Sequence, residues 1–228
     1  MDKQDFTELI QEVPDSANFL HQVQRLSSQY TGWRAVPADG NCFYRAVAFA
    51  LLEELLSPQT LLEPLELLYK RLRWQELPLS DERIEDYFVV MLVLQALIEK
   101  KRDGKTDFEG HLAYLMRKKS FAKPLIQTLR HMTYQSILFF KPAGIFYPGC
   151  AQDLSEDLQF GHSSSEVDLI GLSTALDINI TQVTMGRSDR SETVKEFISR
   201  RKETKADITV HVGLIGGRFY ALYPKKPV

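Results

Sequence analysis

Asp39-Gly40-Asn41-Cys42-Phe43-Tyr44-Arg45 sets a thiol between a turn signal and a run that reads as helix. Phe43, Val47, Ala50, Leu51 and Leu55 recur at helical spacing, which gives that helix a buried face. A cysteine in its first turn meets unpaired backbone N–H groups and the positive end of the macrodipole, both of which favour a thiolate. Asp39, Gly40, Asn41 and Cys42 are the oxyanion-hole candidates, because their backbone N–H groups lie near the sulfur. The chemistry such a group performs is nucleophilic attack on a carbonyl. That chemistry also needs a base to take the thiol proton and an acid to return one to the leaving group.

The elements that must position this thiol are mixed. Phe6 to Tyr30 reads as helical with a break at Pro14, capped afresh at Ser16, and Thr31 to Val36 as a short strand. After the cysteine helix, Ser57-Pro58 opens a helix with Leu61, Leu62, Leu65 and Leu68 on its core face. A long helix from Asp81 to Lys101 buries Ile84, Tyr87, Phe88, Met91, Leu94 and Ile98. Thr106 and Glu109 read as a capping box for a short helix, and Ser120 with Pro124 opens the next. Residues 139–162 read as loop, and Ser165 caps a helix over Glu166–Leu176. Ile178–Met185 reads as a strand and Gly186–Lys205 as a charged, solvated connector. A hairpin ends the pattern, with Ile208–Leu214, a Gly216-Gly217 turn and Arg218–Tyr223. If the turn takes two residues, Ile215 faces Arg218 and His211 faces Leu222, so His211, Arg218, Tyr220 and Leu222 share one sheet face. The fold class is α/β: a helical majority around a small mixed sheet drawn mainly from the C-terminal third.

The motif resembles the nucleophile segment of the ovarian-tumour (OTU) deubiquitinating cysteine proteases, and of the otubains in particular. Leu51–Leu56, the stretch Glu166–Leu176 followed by Ile178–Ile180, and Gly217–Tyr223 are similar to otubain segments in the same order. The resemblance implies a papain-like otubain fold, with residues 1–30 an N-terminal helical arm and residues 31–228 the OTU domain. It implies Cys42 and Asp39 as site residues and no cofactor. It implies ubiquitin or polyubiquitin as partner, with a ubiquitin-conjugating enzyme as a second. The sequence departs from the family where proton transfer is concerned. An otubain ends in a Gly/Ser-His-Tyr-Asp/Asn-Ile-Leu-Tyr strand, and here Arg218 occupies the His position and Tyr220 the Asp/Asn position. A guanidinium is never deprotonated in a protein, so Arg218 accepts no proton.

Three readings stay open at this level: an impaired, ubiquitin-binding pseudo-deubiquitinase; an active deubiquitinase with a relocated base; and an interaction module without ubiquitin function. His162 and His211 are the candidates for a relocated base. For His211 the strand spacing is adverse, since Leu222 lies about 13 Å from Arg218 along a strand and a base must come within about 3 Å of the proton it takes.

The 228 residues are 44% hydrophobic and 25% charged, with a formal net charge of −2. That balance provides no basic field for nucleic acid or an anionic membrane. The longest apolar run, Tyr87 to Ile98, is too short for a membrane span. No His and Cys fall at metal-ligand spacing, so no metal site is expected. Two cysteines and an acidic start without an apolar leader segment suit a reducing, cytoplasmic setting, with the nucleus as the alternative.

Overall fold

The computed structural model describes residues 2–12, 17–73, 81–140, 166–185, 193–197 and 208–225. Six strands form one mixed sheet: β1 (Lys3–Gln4), β2 (Tyr30–Ala35), β3 (Asn179–Met185), β4 (Thr193–Phe197), β5 (Thr209–Ile215) and β6 (Arg218–Pro224). Their order across the sheet is β1-β2-β6-β5-β3-β4. Only β3 and β5 run parallel; the other neighbours are antiparallel. Four strands come from the C-terminal third, as the pattern predicts.

The helices are α1 (Phe6–Glu12), α2 (Ala17–Gln29), α3 (Cys42–Leu56), α4 (Glu63–Arg73), α5 (Asp81–Arg102), α6 (Glu109–Arg117), α7 (Lys119–Phe140) and α8 (Glu166–Leu176). Side chains alternate faces along a strand, and both faces of this sheet are covered. Ile180, Val210, Val212, Phe219 and Ala221 face a large core built on α3 to α8. Val183, Met185, Ile215, Tyr220 and Leu222 face a second core with Phe6, Leu9, Phe19, Val23 and Leu26 of α1 and α2.

The hairpin register matches the expectation from its two glycines. Ile215 pairs with Arg218 and His211 with Leu222. Gly216 and Gly217 carry φ of 57° and 82°, the two positive values of a type I′ turn that only glycine adopts freely.

Five local expectations are corrected. The segment read as a solvated connector contains β4, which pairs with β3 and buries Phe197. It is an edge strand with exposed charges at Lys195 and Glu196, which is how edges are kept from pairing with other chains and why it reads as solvated. Leu61 lies ahead of α4 and is 74% exposed. On α5, Ile84 and Phe88 are exposed while Val90 and Leu97 are buried; apolar residues surround this helix, so its period does not say which side faces inward. Thr106 does not cap α6, whose N-cap position is Phe108 without a side-chain bond. The Ser165 cap and most of the predicted 139–162 loop lie outside the described residues; Phe139 and Phe140 belong to α7.

A buried cation ties the sheet to the helices. Arg34 on β2 is 1% exposed and reaches Glu53 at 2.7 Å and Glu109 at 3.1 Å. Its Nε donates to the Tyr223 hydroxyl at 2.7 Å, and that hydroxyl donates to Glu53. One guanidinium thereby joins β2, α3, α6 and β6.

The contact of α7 with α8 depends on a missing side chain. A Cβ on Gly171 would come within 2.8 Å of Ile137 Cγ1 and 2.9 Å of Thr133 Cγ2. Gly171→Ala is therefore expected to overpack this interface and cost about 1–3 kcal/mol. Denaturant unfolding checks it; a variant as stable as the parent would show that α8 can retreat freely.

Candidate active site

Cys42 is the first residue of α3 and is half-buried. The turn before it is held from two sides. On one side, Asp39 Oδ1 accepts the Asn41 N–H at 3.1 Å and Oδ2 accepts from Arg45 at 2.7 Å. Burial opposes ionisation of Asp39, but the hydrogen bond and charge of Arg45 outweigh it and hold the carboxyl below its ordinary value. On the other side, Arg130 of α7 donates from Nη2 to the Gly40 carbonyl at 2.9 Å and from Nε to Asn41 Oδ1 at 3.2 Å. Gly40 has φ of +74°, so this turn is closed to a side chain without strain.

Arg130 is 2% exposed and lies over the Tyr44 ring, 4.5 Å from its centroid. The Tyr44 hydroxyl donates to Asp168 of α8 at 2.8 Å. Burial lowers the Arg130 pKa from its ordinary value, against the charges of Tyr44, Asp168, Asp39 and Cys42. The guanidinium remains a cation at any physiological pH. Asn41, 0% exposed, spends its side chain on Asp39 and Arg130 and caps no helical N–H.

Among the described residues, no hydrogen bond engages the N–H of Gly40 or of Cys42. The Asn41 N–H, in contrast, is taken by Asp39. Of the four candidates the Asn41 N–H is therefore spent, while those of Asp39, Gly40 and Cys42 are engaged by no described residue.

The start of β6 lies beside the start of α3, for the rings of Phe43 and Phe219 stand 5.2 Å apart. Arg218, one residue earlier, is exposed, and its side chain makes no hydrogen bond or ion pair with a described residue. Tyr220 turns the other way from Phe219 and is 7% exposed, its ring edge-on to Trp33 at 5.0 Å. It is spent on the second core. His211 lies beside Leu222, with Nδ1 3.1 Å from the Tyr30 hydroxyl. Burial lowers its pKa from the ordinary value, with the charge of Glu196 opposing. His162 lies outside the described residues.

Sequence reasoning missed Arg130. Its signal was a charge on the inner side of α7, in line with the buried Ile126, Thr133 and Ile137; a cation there requires an internal partner.

The sequence pattern described as Peptidase C65 Otubain matches residues 1–217. The chain belongs to the otubain family. The otubain assignment accords with curated relatives. The OVARIAN TUMOR DOMAIN-containing deubiquitinating enzyme 1 of Arabidopsis thaliana is 26% identical over 227 residues, covering 90% of this chain and 74% of that protein. Ubiquitin thioesterase OTUB2 of Mus musculus is 36% identical over 55 residues, 24% of each chain. Among solved structures, ceOTUB1 in a complex with ubiquitin aldehyde and UBC13~Ub has a TM-score of 0.80 at 18% identity, covering 99% of this chain and 93% of that one. The h/ceOTUB1–ubiquitin aldehyde–UBCH5B~Ub complex has a TM-score of 0.77 at 20% identity, with coverage of 99% and 89%. At these identities the likeness is one of fold. Among the described residues, no helix is long and apolar enough to cross a membrane.

Proposed function

We propose that this otubain recognises ubiquitin, or a ubiquitin-charged conjugating enzyme, and has impaired isopeptidase chemistry. The observation that carries this reading is the contrast across the site. The nucleophile turn is braced by Asp39, Arg45 and Arg130. At the start of β6, Arg218 accepts no proton and Tyr220 is packed against Trp33. General acid–base catalysis contributes about 100- to 10,000-fold, and a lysine leaving group needs its proton. A scaffold without that pair still has a surface on which ubiquitin can dock and a thiol near the docked tail. The OTUB1 relatives of this fold were captured with ubiquitin aldehyde and with UBC13~Ub or UBCH5B~Ub, which supports ubiquitin and a charged conjugating enzyme as partners. A chain with two cysteines and no disulfide framework suits a reducing compartment.

Titration with ubiquitin followed by NMR or calorimetry is expected to give a Kd in the micromolar range, about −8 kcal/mol. Isopeptide-linked diubiquitin is expected to remain essentially uncut. A ubiquitin probe carrying an electrophile at its tail is expected to label Cys42, and Cys42→Ala to abolish the labelling. Robust diubiquitin cleavage by the unaltered chain overturns the impaired chemistry, and absence of binding at high micromolar ubiquitin overturns the recognition.

A further inference from the structure

A fully buried guanidinium is an expensive group to place behind a turn. Arg130 spends two of its N–H groups on that turn, one on the Gly40 carbonyl and one on Asn41 Oδ1. A trans peptide points its C=O and N–H in opposite directions. With the Gly40 carbonyl drawn inward to Arg130, the Asn41 N–H lies on the other side of that peptide, where Asp39 Oδ1 receives it. Both atoms of the Gly40–Asn41 peptide are thus fixed by charged side chains. The peptides on either side carry the N–H groups of Gly40 and Cys42, which are engaged by no described residue. The same guanidinium stacks on Tyr44, itself bonded to Asp168, so the brace is anchored in α3, α7 and α8.

We propose that Arg130 is a positioning residue that holds the nucleophile turn in the shape of a finished oxyanion hole, with the N–H groups of Gly40 and Cys42 as its donors. The hole is then built in the free protein and does not depend on Arg218 or Tyr220. This inference rests on Cys42 as the nucleophile but not on ubiquitin recognition, so its test contains no ubiquitin.

The test compares two reactions of one thiol, in a Cys150→Ser background that leaves Cys42 as the single cysteine. With p-nitrophenyl acetate the sulfur attacks the carbonyl carbon, a C–S bond forms and the carbonyl electron pair moves onto oxygen. Collapse expels p-nitrophenolate, which leaves without a proton, while the thiol proton goes to buffer. With iodoacetamide the sulfur displaces iodide directly and no oxyanion forms. Both reactions need the thiolate, so its abundance cancels in the ratio of the two rates. What remains is oxyanion stabilisation.

Arg130→Met is expected to lower the acylation-to-alkylation ratio at least about tenfold, removal of one oxyanion donor being worth about 100- to 1,000-fold elsewhere. Arg130→Lys keeps a cation without the two-pronged geometry and is expected to recover part of the ratio. Asn41→Ala removes one of the two contacts from the turn side and is expected to give a smaller fall, about threefold, by the same reasoning. If Arg130→Met does not fold, as circular dichroism would show, the other two variants carry the test. A merely structural role would change both rates together and leave the ratio where it was. That result overturns the proposal, as does acylation of the parent Cys42 no faster than of a free thiol with the same iodoacetamide rate. Failure of ubiquitin titration alone would leave the oxyanion hole standing and would strike only the recognition.

Discussion

Replacing Arg218 by His and Tyr220 by Asn together is expected to give diubiquitin cleavage at least about 100-fold above that of the unaltered chain. Cys42→Ala in that background should abolish it. The first change supplies a group that takes the thiol proton and hands one to the leaving lysine. The second supplies the amide that orients it. The structure adds a cost to the second change. Tyr220 is 7% exposed and edge-on to Trp33, between β6 and the α1–α2 layer. Shortening it to Asn opens a cavity and places an amide in an apolar layer, a loss of about 3–5 kcal/mol by analogy with aromatic truncations. Arg218→His alone should keep nearly full stability, since the Arg218 side chain is exposed and bonds no described residue. It should gain less activity than the pair. Gel assays of cleavage beside thermal melts read both effects. A folded double variant that cuts nothing would sink the view that the missing pair is what silences the site.

The second large effect concerns stability. Arg34→Met is expected to destabilise the chain by about 3–5 kcal/mol at pH 7.5, because removing one partner strands a buried charge. For a chain of this size that is a fall in Tm of roughly 6–20 °C. The stranded charge is Glu53, whose side chain is 16% exposed. Burial raises its pKa, while the Tyr223 hydrogen bond and the Arg34 charge oppose that rise and Glu109 adds to it. An acid whose pKa is higher folded than unfolded loses stability as pH rises through the folded value. Without Arg34 the folded value climbs further. The deficit of Arg34→Met should therefore shrink as the pH falls and Glu53 takes up a proton. A deficit that is flat from pH 5 to 8 would place the loss in packing against Phe49, which Arg34 overlies at 4.4 Å.

What was legible in the sequence was local. Asp39 to Cys42 read as a turn opening a helix because the turn residues and the apolar period adjoin, and α3 begins at Cys42. Gly216-Gly217 fixed the register of β5 against β6 because a two-residue turn leaves one pairing. The departures at Arg218 and Tyr220 were visible as residue types, but the destination of the Tyr220 ring was not, since Trp33 is distant in sequence. Arg130 and Arg34 were illegible for the same reason. Each is a cation in an apolar pattern, and the partners that justify it lie on other elements. The burial of α5 was ambiguous because it is apolar on every side.

The order β1-β2-β6-β5-β3-β4 has a consequence for how the molecule is made. Among the described residues, β6 is the only strand that bridges the pair β1-β2 and the trio β5-β3-β4. Its partner β2 leaves the ribosome long before it: Tyr30 must wait for Pro224. At typical rates of about 5–20 residues per second, that wait is on the order of ten to forty seconds. Through that interval β2 has only the two residues of β1 to pair with, and Trp33 and its apolar neighbours are natural clients for a chaperone. Cys42 waits with them, because Phe219, which packs beside its helix, is supplied by the same late strand. A nascent chain therefore lacks the Phe219 side of the thiol's surroundings until β6 closes the sheet.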